Sequence, residues 1–272
     1  MARSVTISPL MEHLLRLGYV VRGAVYGVIG LLALQLVAGS GGKLTDTEGA
    51  IVAIGGTPLG GILLYVILAG LVIYGLWGLI RALVDPLHKG TDAKGIIERV
   101  GYAISGISYL ILGLVTFGLI TGRAPAASSG AQTAQAQQIT GTILSKPWGA
   151  WVVVLVSLMV VGAGLAQIYQ GLRPHFEQQY RPYALNLYRR KWIIRLGRLG
   201  VTARGVVFAL IGFFLFLAAY YHDPSRAQST DGVLAILRNQ PYGLWLLGIV
   251  ALGLIAFGFY SALSGIWLRF TR

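Results

Sequence analysis

The sequence predicts an all-α membrane protein whose six spanning helices are three parallel copies of a two-helix repeat, arranged around a pseudo-threefold axis. The chain is strongly apolar, with 56% hydrophobic and 11% charged residues and a mean hydropathy of +0.71, which is unlike a soluble domain. Six apolar runs are long enough to cross about 30 Å of hydrocarbon at about 1.5 Å per residue. A glycine-spaced signature that occurs three times then indicates one repeated unit.

The six apolar runs are predicted to be helices, because backbone amide groups cannot stay unpaired in lipid. The first run carries the first copy of the repeat and is therefore not expected to be a cleaved signal peptide. The runs lie at about residues 19–39, 60–84, 101–121, 149–172, 199–220 and 242–268.

The repeat begins with a glycine signature, which reads Gly18-Tyr19-Val20-Val21-Arg22-Gly23 in the first copy. The copies start at residues 18, 101 and 200, and each is followed by a Pro-x-Gly before the second span. Because each unit has two spans, all three enter the membrane in the same orientation. The repeats are placed at residues 16–84, 98–173 and 195–269 of a single membrane domain.

The regularly spaced glycines are predicted to pack helices together. Gly23 and Gly30 lie two helical turns apart on one face, and small residues let helix backbones approach closely in lipid. A helix break that lines a transport site is the alternative interpretation. The predicted packing residues are Gly23, Gly30, Gly75, Gly106, Gly113, Gly164, Gly205, Gly212 and Gly258.

A short helix on the outer surface is predicted between the two spans of the first and third repeats. Glu48 and Asp231 each precede the repeat's proline by ten residues, where an acidic residue stabilises a helix N-terminus. Gln137 takes this place in the middle repeat, whose residues 123–138 are predicted to be a loop. An outer catalytic carboxylate is the alternative, and the neutral middle copy argues against it.

The distribution of basic residues predicts the orientation of the chain in the membrane and the anionic surface that it contacts. Of the 22 Lys and Arg residues, 17 lie at the N-terminus, in the connections between repeats and in the C-terminal tail, so both termini are expected in the cytoplasm. The net charge of +13 is matched to the anionic lipid surface, because no module that reads nucleic acid is present. The expected location is the bacterial inner membrane.

Arginine recurs inside the signature, at Arg22 and Arg204, with Ser105 in the middle copy. An arginine at the bilayer centre costs roughly 2.5–3.5 kcal/mol, whereas near the cytoplasmic edge its side chain reaches the interface. We therefore expect a lipid phosphate or an interhelical carbonyl group as its partner. A buried site for a substrate anion is the alternative.

A second basic cluster consists of Arg189, Arg190 and Lys191, next to Trp192. Cations beside an aromatic residue are typical of a helix that lies in the membrane interface and contacts anionic headgroups. A basic loop that only fixes the orientation is the other interpretation.

Catalytic chemistry has no support in the residues. The chain contains no cysteine, and no catalytic triad, carboxylate pair or phosphate-binding loop is evident. The four histidines, His13, His88, His175 and His222, fall at span ends or in connections. We expect no catalytic residue, no metal site and no cofactor, and a bundle centre that is filled by glycine and aliphatic side chains.

The chain resembles the bacterial membrane proteins of the domain-of-unknown-function 1206 family. The resemblance lies in the start at Gly18 to Gly23, in Tyr26 to Gly30 and in the Pro-x-Gly before each second span, and Ser105 departs from the pattern. It implies three two-span units and no settled activity. Mitochondrial carriers also have three such units, but their Pro-x-acidic-x-x-basic motif does not occur here.

These observations predict a protein without catalytic activity that acts as an accessory or scaffold subunit of a membrane complex, or that binds lipid. Its expected partners are anionic headgroups on the cytoplasmic side and other membrane subunits. The alternative is a transporter or channel for a small neutral or weakly polar solute, which would need a continuous polar path along the axis.

Overall fold

The computed structural model describes residues 9–85, 90, 92–123, 130–173 and 187–267. Over these residues the chain forms nine α-helices and a short 3-10 turn at Pro224–Arg226. The six long helices are α1 (Pro9–Val37), α3 (Gly60–Leu83), α4 (Ala93–Ile120), α6 (Gly149–Leu172), α7 (Leu187–Tyr220) and α9 (Gly243–Trp267). The three short helices are α2 (Thr47–Gly55), α5 (Ala131–Leu144) and α8 (Thr230–Arg238).

Each long helix contains 22 to 30 residues that are apolar enough to span a membrane. The prediction of six spanning helices is therefore confirmed. Residues 187–194 are not a separate helix, because they form the first turns of α7, and their position in the membrane interface stays a prediction. A continuous helix there satisfies the backbone without a separate element.

The most extensive helix contacts join neighbouring repeats. Helix α3 packs along α4, α6 packs along α7, and α9 packs along α1, so the third repeat returns to the first. These three equivalent interfaces close a ring and form the predicted pseudo-threefold bundle. Within repeats, α7 packs on α9 and α1 packs on α3, whereas α4 and α6 hardly touch over the residues that the structure describes.

The two ends of the bundle differ. The short helices α2, α5 and α8 connect the two spans of each repeat and lie at one end, called the capped end below. The opposite end, called the basic end, holds the beginnings of α1, α4 and α7 and the ends of α3, α6 and α9. The predicted short helices of the first and third repeats are confirmed as α2 and α8.

Helix α5 replaces much of the predicted loop of the middle repeat. Alanine and glutamine have high helix propensity, and hydrogen bonds hold the beginning of the helix. The Gln132 N–H donates to the Asp46 carboxylate at 3.2 Å, and the Thr133 hydroxyl donates to the Asp231 carboxylate at 2.8 Å. Residues 124–129 lie outside the described part of the chain, so the loop prediction is wrong for residues 131–138 only.

The middle glycine of each repeat faces a glycine of the neighbouring repeat. A Cβ atom at Gly23 would lie 2.5 Å from the carbonyl oxygen of Gly258. The same arrangement pairs Gly106 with Gly75, and Gly205 with Gly164, at 2.8 Å. Helix backbones thus meet directly at all three interfaces. Whether these glycines stabilise the protein stays a prediction.

The second glycine of the signature is less uniform. A Cβ atom at Gly30 would lie 2.6 Å from the Ala251 carbonyl oxygen, and one at Gly212 would lie 2.7 Å from the Val161 amide nitrogen. At Gly113 the nearest atom would belong to a Val72 side chain at 3.5 Å, which is an ordinary contact. The middle repeat therefore has room where the other two have none.

Two arginines form hydrogen bonds with the C-terminal ends of spanning helices at the basic end. Arg99 donates from its guanidinium to the carbonyl oxygens of Ala82 and Leu83, the last two residues of α3, at 2.8 and 3.2 Å. Arg198 binds the last two carbonyl groups of α6 in the same way, at 3.1 and 3.2 Å. The last carbonyl groups of a helix have no partner within it, so these bonds tie each repeat to the next.

Candidate functional site

A cavity of about 680 Å³ lies between helices α1, α3, α4 and α7 and reaches the short helices α2 and α5. Its lining extends from Arg81 and Tyr102 at the basic end to Glu48, Gln132 and Ser229 at the capped end. The expectation of a centre filled with glycine and aliphatic residues is therefore wrong. The glycines lie at the interfaces between repeats, and aromatic and basic side chains line the open space together with aliphatic ones.

Arg22 of α1 lines this cavity and stacks on an aromatic ring of the neighbouring repeat. Its guanidinium carbon lies 5.0 Å from the centre of the Phe257 ring. The Nε atom is buried and has no hydrogen-bond partner. A buried donor without a partner is costly, so this side chain is suited to a ligand that accepts hydrogen bonds.

Arg204 of α7 occupies the matching position in the third repeat and points into the same cavity. Its Nε–H donates to the Tyr26 hydroxyl at 3.1 Å, and its guanidinium carbon lies 4.7 Å from the Phe208 ring centre and 5.0 Å from that of Phe257. Both arginines thus lie 5.0 Å from one ring, which places their guanidinium carbons no more than about 10 Å apart.

These positions differ from the sequence expectation that the two arginines extend to the membrane surface. The helices begin earlier than predicted, at Pro9 and Leu187, so Arg22 and Arg204 lie 13 and 17 residues into α1 and α7. Stacking on aromatic faces is favourable for a guanidinium and keeps both side chains inside the bundle. Their role in binding a headgroup stays a prediction.

Arg81 adds a third cation at the basic end of the cavity. Its guanidinium carbon lies 4.5 Å from the Tyr102 ring centre, and its Nε atom is buried without a hydrogen-bond partner. Arg81 is not among the residues that the sequence pattern predicts to be functional. Its position as a lone cation within an apolar run, at residues 60–84, is the feature that would have identified it.

The charge of the cavity is uneven along its length. Glu48 is the one acidic residue among the described residues that line it, and it lies at the capped end. Arg22 lies 15 residues before the end of α1, which corresponds to about 22 Å of helix. Among the described lining residues, the basic half of the cavity therefore has no carboxylate to balance its cations.

The cavity is open on the side of the middle repeat. Helix α6 supplies none of the described lining residues, and it hardly contacts α4. Ser105 and Ser108 of α4 line the cavity and are exposed, as are Ile104 and Ile111. The opening between α4 and α6 thus faces the region that lipid occupies.

Two small residues of the middle repeat explain this opening. Ser105 stands where the other repeats have Arg22 and Arg204. Ala163, directly before Gly164, stands where the other repeats have Tyr74 and Phe257 before the equivalent glycine. The middle repeat therefore lacks the long side chains that fill this space elsewhere.

Carboxylates at the capped end connect the short helices that lie over the cavity. Asp46 accepts hydrogen bonds from Gly49 N–H of α2 at 2.8 Å and from Gln132 N–H of α5. Burial raises the pKa of the Asp46 carboxyl, the hydrogen bond from Gly49 opposes this, and the nearby Asp231 raises the pKa further. Burial also raises the pKa of Glu48, and the charge of Asp46 adds to that effect.

The second predicted headgroup cluster is partly described. Lys191 and Trp192 are exposed at the beginning of α7, while the side chains of Arg189 and Arg190 lie outside the described residues. His222 is exposed after α7, and His88 and His175 are not among the described residues. Within the described part of the chain, no three His, Asp or Glu residues are grouped as for a metal ion.

Together these features define an integral membrane protein with three two-span repeats and a laterally open, basic cavity. The chain belongs to the family described as Domain of Unknown Function (DUF1206), whose sequence profile matches residues 17–85, 100–173 and 199–267. It is similar to the "Uncharacterized protein YxxB" of Bacillus subtilis (strain 168), with 30% identity over 97% of this chain and 93% of that protein. No solved structure matches the chain significantly. The predicted family is confirmed.

Proposed function

We propose that this protein is a non-enzymatic membrane protein that binds an anionic lipid in the cavity between α1, α3, α4 and α7, called the central cavity below. Arg22 and Arg204 hold the headgroup, and the acyl chains leave through the opening between α4 and α6. The observation that supports this most directly is the pair of cavity arginines, which have no carboxylate beside them among the described residues that line the cavity.

The energetics favour an anion. A cation within the membrane carries a cost of several kcal/mol unless it is paired, and contacts with aromatic faces offset about 0.5–2 kcal/mol of it. A phosphate group would supply the missing hydrogen-bond acceptors, because the planar guanidinium matches phosphate geometry. The unpartnered Nε atom of Arg22 is suited to such a bond.

The lateral opening favours a lipid over a soluble anion. Its rim on α4 combines the serines Ser105 and Ser108 with the apolar side chains of Ile104 and Ile111. A headgroup can meet the hydroxyl groups there while its acyl chains stay among the apolar residues. A transmembrane segment of a partner subunit is the other occupant for this opening, which would make the protein an accessory subunit.

Transport of a small polar solute is a second candidate. It is favoured by the extent of the cavity, which carries Ser, Tyr and Gln side chains between Tyr102 at the basic end and Gln132 at the capped end. Uptake of labelled solutes into vesicles that contain the purified protein would support it. Bound lipid without uptake would favour the first proposal.

The test is native mass spectrometry after purification in a gentle detergent. The wild-type protein is expected to retain a molecule of phosphatidylglycerol or cardiolipin. In the Arg22→Gln/Arg204→Gln variant the occupancy of this lipid should fall at least about five-fold, which corresponds to about 1 kcal/mol of binding free energy. The matched control is Arg123→Gln/Arg238→Gln, because both residues are exposed near the capped end. Equal retention in both variants would contradict the proposal, as would a co-purifying protein in place of lipid.

The orientation belongs to the same proposal. The basic end is expected to face the cytoplasm of the bacterial cell, because basic residues concentrate there. Reporter fusions after Arg272 and at Ala131 should report opposite sides of the membrane, with Arg272 inside. The reverse result would place the headgroup-binding half of the cavity in the outer leaflet.

A further inference from the structure

A second cavity lies on the outer surface of the bundle and shares no lining residue with the central cavity. It is a groove of about 780 Å³ between the end of α6, the first half of α7 and the middle of α9. Leu199, Val206, Ile249 and Leu252 line it and are exposed. The groove is thus an apolar depression on the side of the protein that faces lipid.

The floor of the groove is fixed by glycine. A Cβ atom at Gly253 would overlap the Ala203 side chain, so α7 and α9 are in close contact there. Without a side chain at Gly253, the two helices leave a furrow instead of a ridge. Such a furrow accommodates a flexible chain, because residues of α6, α7 and α9 line it and offer dispersion contacts along its length.

The basic end of the groove carries a cation, Arg195. Arg195 lines the groove and is exposed, and its guanidinium carbon lies 5.6 Å from the Trp192 ring centre. Arg195 makes no ion pair or hydrogen bond with any described residue, whereas the neighbouring Arg198 is occupied by the carbonyl groups of α6. The repeat does not require this cation, because Ile96 holds the equivalent position in the middle repeat.

The dimensions fit one leaflet. From Arg195 to Val206 the groove follows 11 residues of α7, which is about 16 Å of helix. Half of the hydrocarbon core of a bilayer is about 15 Å thick. A chain that starts at headgroup level beside Trp192 would therefore end near the middle of the membrane.

We propose that this groove is a second lipid site, which takes one acyl chain of an anionic phospholipid and binds its phosphate through Arg195. Exposed Lys191 adds positive charge at the same level, and Trp192 is suited to the interface. The site is independent of the central cavity, because the two share no lining residue.

The test counts bound lipids by native mass spectrometry while dioleoyl phosphatidylglycerol is titrated into delipidated protein. Arg195→Gln should lower the occupancy of one site at least about five-fold for phosphatidylglycerol and leave binding of dioleoyl phosphatidylcholine unchanged. Val206→Phe should fill the groove and lower the occupancy of both lipids there. The controls are Arg238→Gln, at the capped end, and Leu114→Phe, on an exposed face of α4.

The two lipid proposals fail separately. The Arg22→Gln/Arg204→Gln variant should keep the groove lipid, and Arg195→Gln should keep the cavity lipid. Wild-type occupancy in Arg195→Gln would overturn the groove proposal, and so would equal loss of phosphatidylcholine. If Val206→Phe does not fold, Leu199→Phe at the exposed rim provides the same test.

Discussion

The middle repeat differs from the first and third in how it contributes to the core. The main cluster of buried apolar residues comes from the first and third repeats, with Leu112 alone from the middle one. Half of the most apolar window in the α9 span is buried, compared with 22% for α4 and for α6. The first and third copies of the repeat thus build the core, and the middle copy leaves an opening.

The comparison shows which contacts the bundle needs. The middle repeat keeps the contacts between repeats, namely the meeting of Gly106 with Gly75 and the bonds of Arg99 to the end of α3. Its own two spans, α4 and α6, hardly touch over the described residues, and Ser105 and Ala163 replace larger residues there. Because the interfaces between repeats close the ring, one pair of spans can separate without opening the whole bundle.

The largest expected effect comes from adding one methyl group at the second signature glycine of each repeat. Gly30→Ala and Gly212→Ala should each destabilise the protein by about 1–3 kcal/mol, because the new Cβ atom would overlap backbone atoms of a neighbouring helix. Gly113→Ala should be neutral or stabilising by up to about 1 kcal/mol, because alanine has the higher helix propensity and the site has room. Thermal unfolding in one detergent measures all three.

That series separates close packing from helix propensity. Leu114→Ala, at an exposed position of α4, controls for the loss of a lipid-facing side chain. Equal effects at Gly30, Gly113 and Gly212 would contradict the difference between the repeats.

The arginines at the basic end should give the next largest effect. Arg99→Met and Arg198→Met each remove two hydrogen bonds to the last carbonyl groups of a helix, and we expect a loss of about 1–2 kcal/mol in each case. Arg195→Met is the matched control, because it lies one turn from Arg198 and binds no carbonyl group. Unfolding midpoints that do not separate Arg198→Met from Arg195→Met would show that these bonds do not stabilise the bundle.

Restoring an aromatic residue in the middle repeat should narrow the opening. Ala163→Phe recreates the residue that precedes the glycine in the third repeat, and the ring would occupy space beside α4. The chain has no cysteine, so Ser108→Cys can be labelled alone with a maleimide in detergent. Labelling should slow by about two- to five-fold in the Ala163→Phe background, which corresponds to at most about 1 kcal/mol.

A second cysteine provides the control for that experiment. Leu114→Cys lies on an exposed face of α4 and should react equally fast in both backgrounds. If Ser108→Cys also keeps its rate, the Ala163 position does not shape the opening.

The smallest expected effect is a pH dependence at the capped end. The pKa of Asp46 is raised in the folded protein, so the folded state binds its proton more tightly than the unfolded state. The contribution of this group to stability is therefore greatest below its ordinary pKa and decreases as the pH rises through the folded value. Asp46→Asn keeps an N-cap residue and should flatten this slope.

Unfolding midpoints between about pH 4 and pH 8 measure this effect in the wild type and in Asp46→Asn. Asp223 provides the opposite sign, because its hydrogen bonds with Ser225 lower its pKa, so its contribution is lost as the pH falls. The same slope in wild type and Asp46→Asn would show that Asp46 is not the group that titrates.

The sequence by itself determined the six spans, the three repeats and the glycine spacing. These follow from local rules, because hydrocarbon thickness fixes helix length and a fixed period identifies a repeated unit. It also marked Arg22, Ser105 and Arg204 as equivalent, although it did not show what they face. Arg99 and Arg198 each lie two residues before the first glycine of a repeat, but the sequence did not identify their partners, which lie at the end of another helix.

Only the tertiary structure decided that the bundle has a cavity and where this cavity opens. A cavity depends on the sizes of residues from different helices, such as Tyr26, Phe257 and Ala163, and no period within one segment brings these together. Helix ends were also decided in three dimensions: α5 forms where Asp46 and Asp231 of the neighbouring repeats supply acceptors for its first turn. The local pattern of the chain thus specifies the repeat, and packing between the copies specifies the site.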